Sequence, residues 1–185
     1  MRTLERVRRG SDVRGRMAAL LDGIDYDFGQ FTMADFRRWL ERRRGREIVL
    51  IPHRIASPTV SGAWLAGVER DFLFYAANAS PIHQAHIQLH ELAHMVCGHA
   101  TLELPDGRIG LTFRRAIGLD GAAALGALLM RSSHSDAEEI EAETLASLIQ
   151  GRVLRHGRLR KLTQASAGDF AHFLSRFLHG LELET

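Results

Sequence analysis

One cysteine, Cys97, is all the chain of 185 residues contains, so no disulfide can form within it. That absence fits a reducing compartment. No run of apolar residues approaches the ~18 needed to cross a bilayer, so no membrane helix is expected. The opening stretch MRTLERVRRGSDVRGRMAALL lacks the apolar centre of a secretory signal, and a cytoplasmic location is the expectation. Internal repeats and low-complexity stretches are also missing. Lysine is almost absent: 23 of the 24 basic residues are arginine. Nothing in the residues explains that choice. The net charge is only +2, which excludes a strongly polybasic or polyacidic protein.

What is present is an ordinary globular composition, 45% apolar and 25% charged, in a length that suits one domain. The charge is unevenly placed. Residues 1–46 hold twelve arginines against seven acids, residues 152–161 are basic again, and DAEEIEAE at 136–143 is acidic. Solvated helix faces account for such segregation, although it can also attract nucleic acid or an acidic partner. No helix-turn-helix or zinc-finger pattern accompanies it, so direct nucleic-acid binding is not expected.

Periodicity and punctuation predict a helix over 3–22, a turn at DGIDYDFGQ, and a helix over 33–44 capped by Thr32. Short apolar runs at 47–52, 59–68 and 71–76 read as strands, the last two as a hairpin. Ser80 and Pro81 mark the start of a helix that Gly98 stops after Cys97. Residues 100–130 carry turn signals and read as an irregular insertion. A helix from Ser135 or Asp136 to about Leu154 follows, then a last one over 164–178. The expected fold class is α+β: a small three-stranded, mostly antiparallel sheet packed against the helix from Ser80 and further helices. The expected divisions are an N-terminal helical segment (1–46), a core (47–155) and a closing C-terminal helix (156–185), in one compact unit. Trp39 and Trp64 are expected in the core.

The helix from Ser80 contains His90-Glu91-Leu92-Ala93-His94. Histidines four apart sit one turn apart on one helix face, so both rings can reach one ion. Zinc takes neutral imidazole and about four ligands, which leaves a place for a third side chain and one for water. Glu91 can then take a proton from that water as general base. Ile87, Leu89, Leu92, Met95 and Val96 around the motif predict a buried helix, and buried histidines need partners. Core histidines satisfied by other side chains, with a salt-bridged Glu91, would also meet that need.

The third ligand must come from elsewhere. His99 follows His94 by five residues, which does not match the metzincin spacing of a third histidine six residues on. Cys97 reads as a small core residue. On the acidic helix, periodicity places Glu138 and Glu141 on the face with Ala142, Leu145, Leu148 and Ile149 and does not choose between them. Glu139 and Glu143 are expected to point away into solvent. His86, one turn before His90, can orient a ligand. Tyr75, His99 and His134 are candidates for stabilising an oxyanion, and Asp136 or Glu138 for holding the free nitrogen of a ligand histidine. His83 is expected to face solvent.

The two motifs IQLHELAHMVCGH and EIEAETLASLI resemble those of the ImmA/IrrE metallopeptidases, a bacterial group related to the gluzincins. The resemblance spans about residues 47–150. It implies one zinc ion per chain held by His90, His94 and Glu141, with Glu91 as general base and Glu138 as a neighbour. It also implies a protein substrate, such as a helix-turn-helix transcriptional repressor. The chain departs from the family pattern at Ile149-Gln150-Gly151, where many members read Leu-Met-Pro, and in its long stretch between the two motifs. Those departures motivate an alternative, a regulatory binding module that keeps the fold without hydrolysis. The residue types alone do not separate zinc from manganese or iron.

Overall fold

The structure is a computed structural model that describes residues 2–53, 61–67, 69–101 and 134–163, with side chains from residue 12 to residue 157 of these. Of the expected insertion over 100–130 only residues 100 and 101 are described, and the expected helix over 164–178 lies outside the described residues. Helix α1 (Arg2–Asp22) leads through a short 3-10 turn at Phe28–Gln30 to α2 (Met33–Arg44). Strands β1 (Glu47–His53), β2 (Gly62–Ala66) and β3 (Arg70–Ala76) follow, then α3 (Pro81–Cys97) and α4 (Asp136–Thr163).

The caps explain why the helices begin and end where they do. The Thr32 hydroxyl accepts the Asp35 N–H at 3.0 Å and opens α2. Gly45, at φ 67°, closes it in the left-handed region that favours glycine. Ser80 caps α3 ahead of Pro81. At the start of α4, Ser135 and Glu138 form a capping box. The Ser135 hydroxyl accepts the Glu138 N–H at 3.4 Å, and the Glu138 carboxylate accepts the Ser135 N–H at 2.9 Å.

The α+β class and the three strands are as expected. The sheet is mixed, however, in the order β1-β3-β2. β2 and β3 form the antiparallel hairpin, while β1 runs parallel to β3 from Glu47↔Arg70 to His53↔Ala76. β3 therefore lies between two strands that are neighbours in sequence, and Asp71–Phe74 are buried. Asp71 is a buried charge, and it is matched. Arg44 of α2 donates to it at 2.7 Å and the Trp64 indole at 3.2 Å.

One apolar cluster joins Met17 and Leu21 of α1, Phe36 and Trp39 of α2, Leu73 of β3, Leu89 and Leu92 of α3, and Leu145 and Ile149 of α4. The N-terminal helices thus share a core with the rest. α4 packs against both α3 and α1 and continues unbroken past residue 155, the expected division.

Candidate metal centre

α3 lies against β2, β3 and α4, and its motif faces α4. His90 Nε2 and His94 Nε2 stand 3.0 Å apart. Glu139 of α4 closes the triangle, with carboxylate oxygens 3.2 Å from His90 Nε2 and 3.7 Å from His94 Nε2. Two donors at ~2.0–2.1 Å from a tetrahedral zinc lie about 3.3 Å from each other. The three separations bracket that value, and two neutral imidazoles with one carboxylate suit a borderline-soft divalent ion. These three residues could hold a metal ion.

The third member is Glu139, where Glu141 was expected. α4 explains the correction. Its buried stripe is Ala142, Leu145, Ala146, Ile149 and Val153. At about 100° per residue, Glu139 and Glu143 flank that stripe on one side and Glu141 on the other. α4 is wedged between α3 and α1, so the Glu139 side reaches the histidines and the Glu141 side reaches Arg16 of α1. Glu139 stays 46% exposed because it works from the rim of the interface rather than from its centre. Glu143 is exposed, as expected, and its carboxylate also stands 3.4 Å from His90 Nδ1 and 3.3 Å from His86 Nε2. Periodicity located the apolar stripe but assumed that a ligand must lie on it. A long carboxylate at the edge reaches equally well.

Burial sets the protonation states. Burial, then His134, His90 and His99, push His94 down to about 2, so it is neutral as a metal requires. Burial also lowers His134, against the opposing pull of Glu139. Glu91 is 5% exposed. Burial first and Glu139 second push its carboxyl up to about 8. Glu91 Oε1 lies beside Gly62 of β2. A Cβ built on Gly62 would stand 2.8 Å from that oxygen and 3.2 Å from the Phe74 carbonyl, and would also meet Ile87. The sheet can approach Glu91 this closely only because residue 62 has no side chain.

The remaining candidates fall around this triangle. His99 Nδ1 meets His94 Nδ1 at 2.9 Å, and His99 Nε2 meets Glu141 Oε2 at 3.2 Å. Arg16 donates to Glu141 Oε1 at 2.5 Å and, as the largest cause, holds its carboxyl below the usual range. The His134 ring stacks on His94 with centroids 3.7 Å apart, its Nδ1 is 3.6 Å from Glu139, and its Nε2 has no partner among the described residues. His86 shares Glu143 with His90 and takes Gln150 at 3.1 Å on its other nitrogen. Tyr75 sits half-buried in β3 opposite Gly62. Glu138 serves the helix cap rather than a ligand histidine, and Asp136 is exposed. The cap signature was legible as Ser135-x-x-Glu138. Burial raises Cys97 to about 12, in keeping with a core thiol.

His99 reaches His94 for a local reason. Gly98 adopts φ 71°, its N–H bonds to Met95 O at 3.3 Å, and the His99 N–H bonds to His94 O at 3.1 Å. This is a Schellman cap, which brings the residue after the glycine back onto the residue five before it. That contact is usually apolar; here it joins two imidazoles.

No helix among the described residues is long and apolar enough to cross a membrane. Comparison of the chain with protein-family profiles, curated proteins and solved structures gives no match.

Proposed function

We propose that the chain is a zinc-dependent endopeptidase of the cytoplasm, with His90, His94 and Glu139 as metal ligands and Glu91 as general base. The observation that carries this reading is the convergence of three donor atoms from two helices beside a buried carboxyl group. The likeness of the two motifs to those of ImmA/IrrE metallopeptidases supports it. Among known chemistries it also favours a protein substrate such as a helix-turn-helix repressor.

A zinc ion held by His90, His94 and Glu139 would polarise a carbonyl and lower the pKa of water toward ~7. The chain's own residues do the rest. Glu91 takes a proton from the attacking water and passes it to the leaving amine. Its buried position between Glu139 and β2 raises its basicity toward that task. β2 ends the described sheet, and backbone alternation turns the polar groups of Gly62, Trp64 and Ala66 away from β3. An extended peptide laid along that edge would pass Glu91 at Gly62. The Thr101 hydroxyl already donates to the Trp64 carbonyl at 2.5 Å, so among the described residues Gly62 and Ala66 are the positions such a peptide would pair with.

His134 favours a second reading, the regulatory module. Rotated into the triangle, its Nε2, which has no partner among the described residues, would supply a fourth protein ligand, and closed sites are structural. One experiment separates the two. The zinc-loaded chain is incubated with a proteome-derived peptide library and new termini are counted by mass spectrometry. Glu91→Gln is expected to keep its zinc and to lose cleavage by ~100-fold or more. Cleavage at the wild-type rate in that variant rejects the mechanism, and a zinc-loaded wild type that cleaves nothing favours the module.

A further inference from the structure

The two ligand histidines are held from behind in different ways. His90 Nδ1 faces the carboxylate of Glu143 directly, at 3.4 Å. His94 Nδ1 faces another histidine. Behind that histidine stands Glu141, and behind Glu141 stands Arg16. The chain of contacts crosses three elements: α1, the cap of α3, and α4.

Donor and acceptor rules fix the protons along it. Arg16 can only donate, so Glu141 Oε1 accepts. An ionised Glu141 can only accept at Oε2, so His99 must carry its proton on Nε2. With one proton per ring, His99 Nδ1 is then an acceptor. His94 must therefore donate from Nδ1, and the lone pair of His94 is left on Nε2, the atom that faces His90 and Glu139. We propose that Arg16, Glu141 and His99 are positioning residues that fix His94 in its Nδ1–H tautomer and so aim the Nε2 lone pair at the metal position. Carboxylates commonly do this for a ligand histidine by direct contact. Here a second imidazole is interposed, and the Gly98 cap supplies it. The same geometry gives Glu141 a use that does not require it to touch the ion.

The purpose of this device rests on the metal-centre reading, but the proton positions belong to the metal-free chain. They can be read there by two-bond proton–nitrogen correlation spectra of the full chain labelled with ¹⁵N-histidine, assigned by single His→Gln variants. His94 is expected as Nδ1–H and His99 as Nε2–H. In Glu141→Ala, His99 loses its fixed acceptor, and both rings are expected to move to mixtures of tautomers. His99→Phe keeps a ring in the cap and removes both nitrogens. It is expected to weaken zinc binding by about 10–100-fold and to shift the d–d bands of the cobalt-substituted protein. A variant that perturbs packing alone would leave the cobalt bands in place. Finding His94 as Nε2–H in the wild type, or finding both tautomers unchanged in Glu141→Ala, overturns the proposal. The expected tautomers in a wild type that does not bind zinc would uphold the proton chain and remove the metal-centre reading instead.

Discussion

Two clusters of rings lie in this molecule, and they are satisfied in opposite ways. In the first, Tyr26, Phe28, Phe31, Phe36 and Trp39 meet edge to face, stacked or tilted between α1 and α2, with centroids 5.1–6.5 Å apart. The Trp39 indole donates to the Asp25 carbonyl at 2.7 Å. Folding alone completes that cluster. In the second, His90, His94, His99 and His134 crowd between α3 and α4, where burial first and the neighbouring rings after it lower the affinity of His94 and His134 for protons. Burial there brings together lone pairs rather than apolar surface. The first cluster is a source of stability, while the second is held in place by the core and suits an added positive ion.

The sharpest test exchanges a residue in each cluster. His90→Ala is expected to lower zinc affinity by more than ~100-fold, beyond the range of residues that only support a ligand. It should leave the urea midpoint of the metal-free chain nearly unchanged. Among the acids, Glu139→Gln should weaken zinc more than Glu141→Gln; the reverse order would restore Glu141 as ligand. Phe36→Ala, at a fully buried position, should cost about 3–5 kcal/mol in urea unfolding while the folded fraction still binds zinc. Equal effects of His90→Ala and Phe36→Ala on both readouts would erase the distinction.

The next test concerns pH. The Glu91 carboxyl rises from 4.5 to about 8 on folding without metal. Between those values the folded chain holds a proton that the unfolded chain has released. Stability from this group is therefore full below about pH 4.5 and is lost as pH rises to about 8. Glu91→Gln removes that slope. In urea melts of metal-free protein, the variant should gain on the wild type from pH 5 to pH 8. A constant difference across that range would contradict the burial of the Glu91 carboxyl group.

The smallest effect expected is from Gly62→Ala, about 1–3 kcal/mol from overpacking. Its Cβ must displace Ile87, Glu91 or the strand. Cleavage should fall further than stability, because Glu91, the proposed general base, is among the groups the new methyl crowds. A variant with unchanged activity and midpoint would show that β2 yields freely and that Glu91 does not depend on it.

Much of this was readable from local signals. Thr32, Ser80-Pro81 and Gly98 punctuate the helices where the structure has them, because caps act within one turn. The pair His90 and His94 follows from helical spacing alone. The parallel pairing of β1 was not readable, since hairpin logic concerns adjacent strands and β3 inserts between them. Nor was the approach of Glu139, rather than Glu141, to the two histidines.

The sequence by itself determined the helix that carries two histidines on one face, the glutamate between them, the acidic helix that answers them, and the αL glycine that turns His99 back. Each of these depends on backbone geometry a few residues long. Only the tertiary structure decided which side of α4 meets α3 and which meets α1. That choice sends Glu139 and Glu143 to the histidines and Glu141 to His99 and Arg16. An amphipathic helix specifies the stripe it buries, but the partners along its two borders are set by how the neighbouring helices pack.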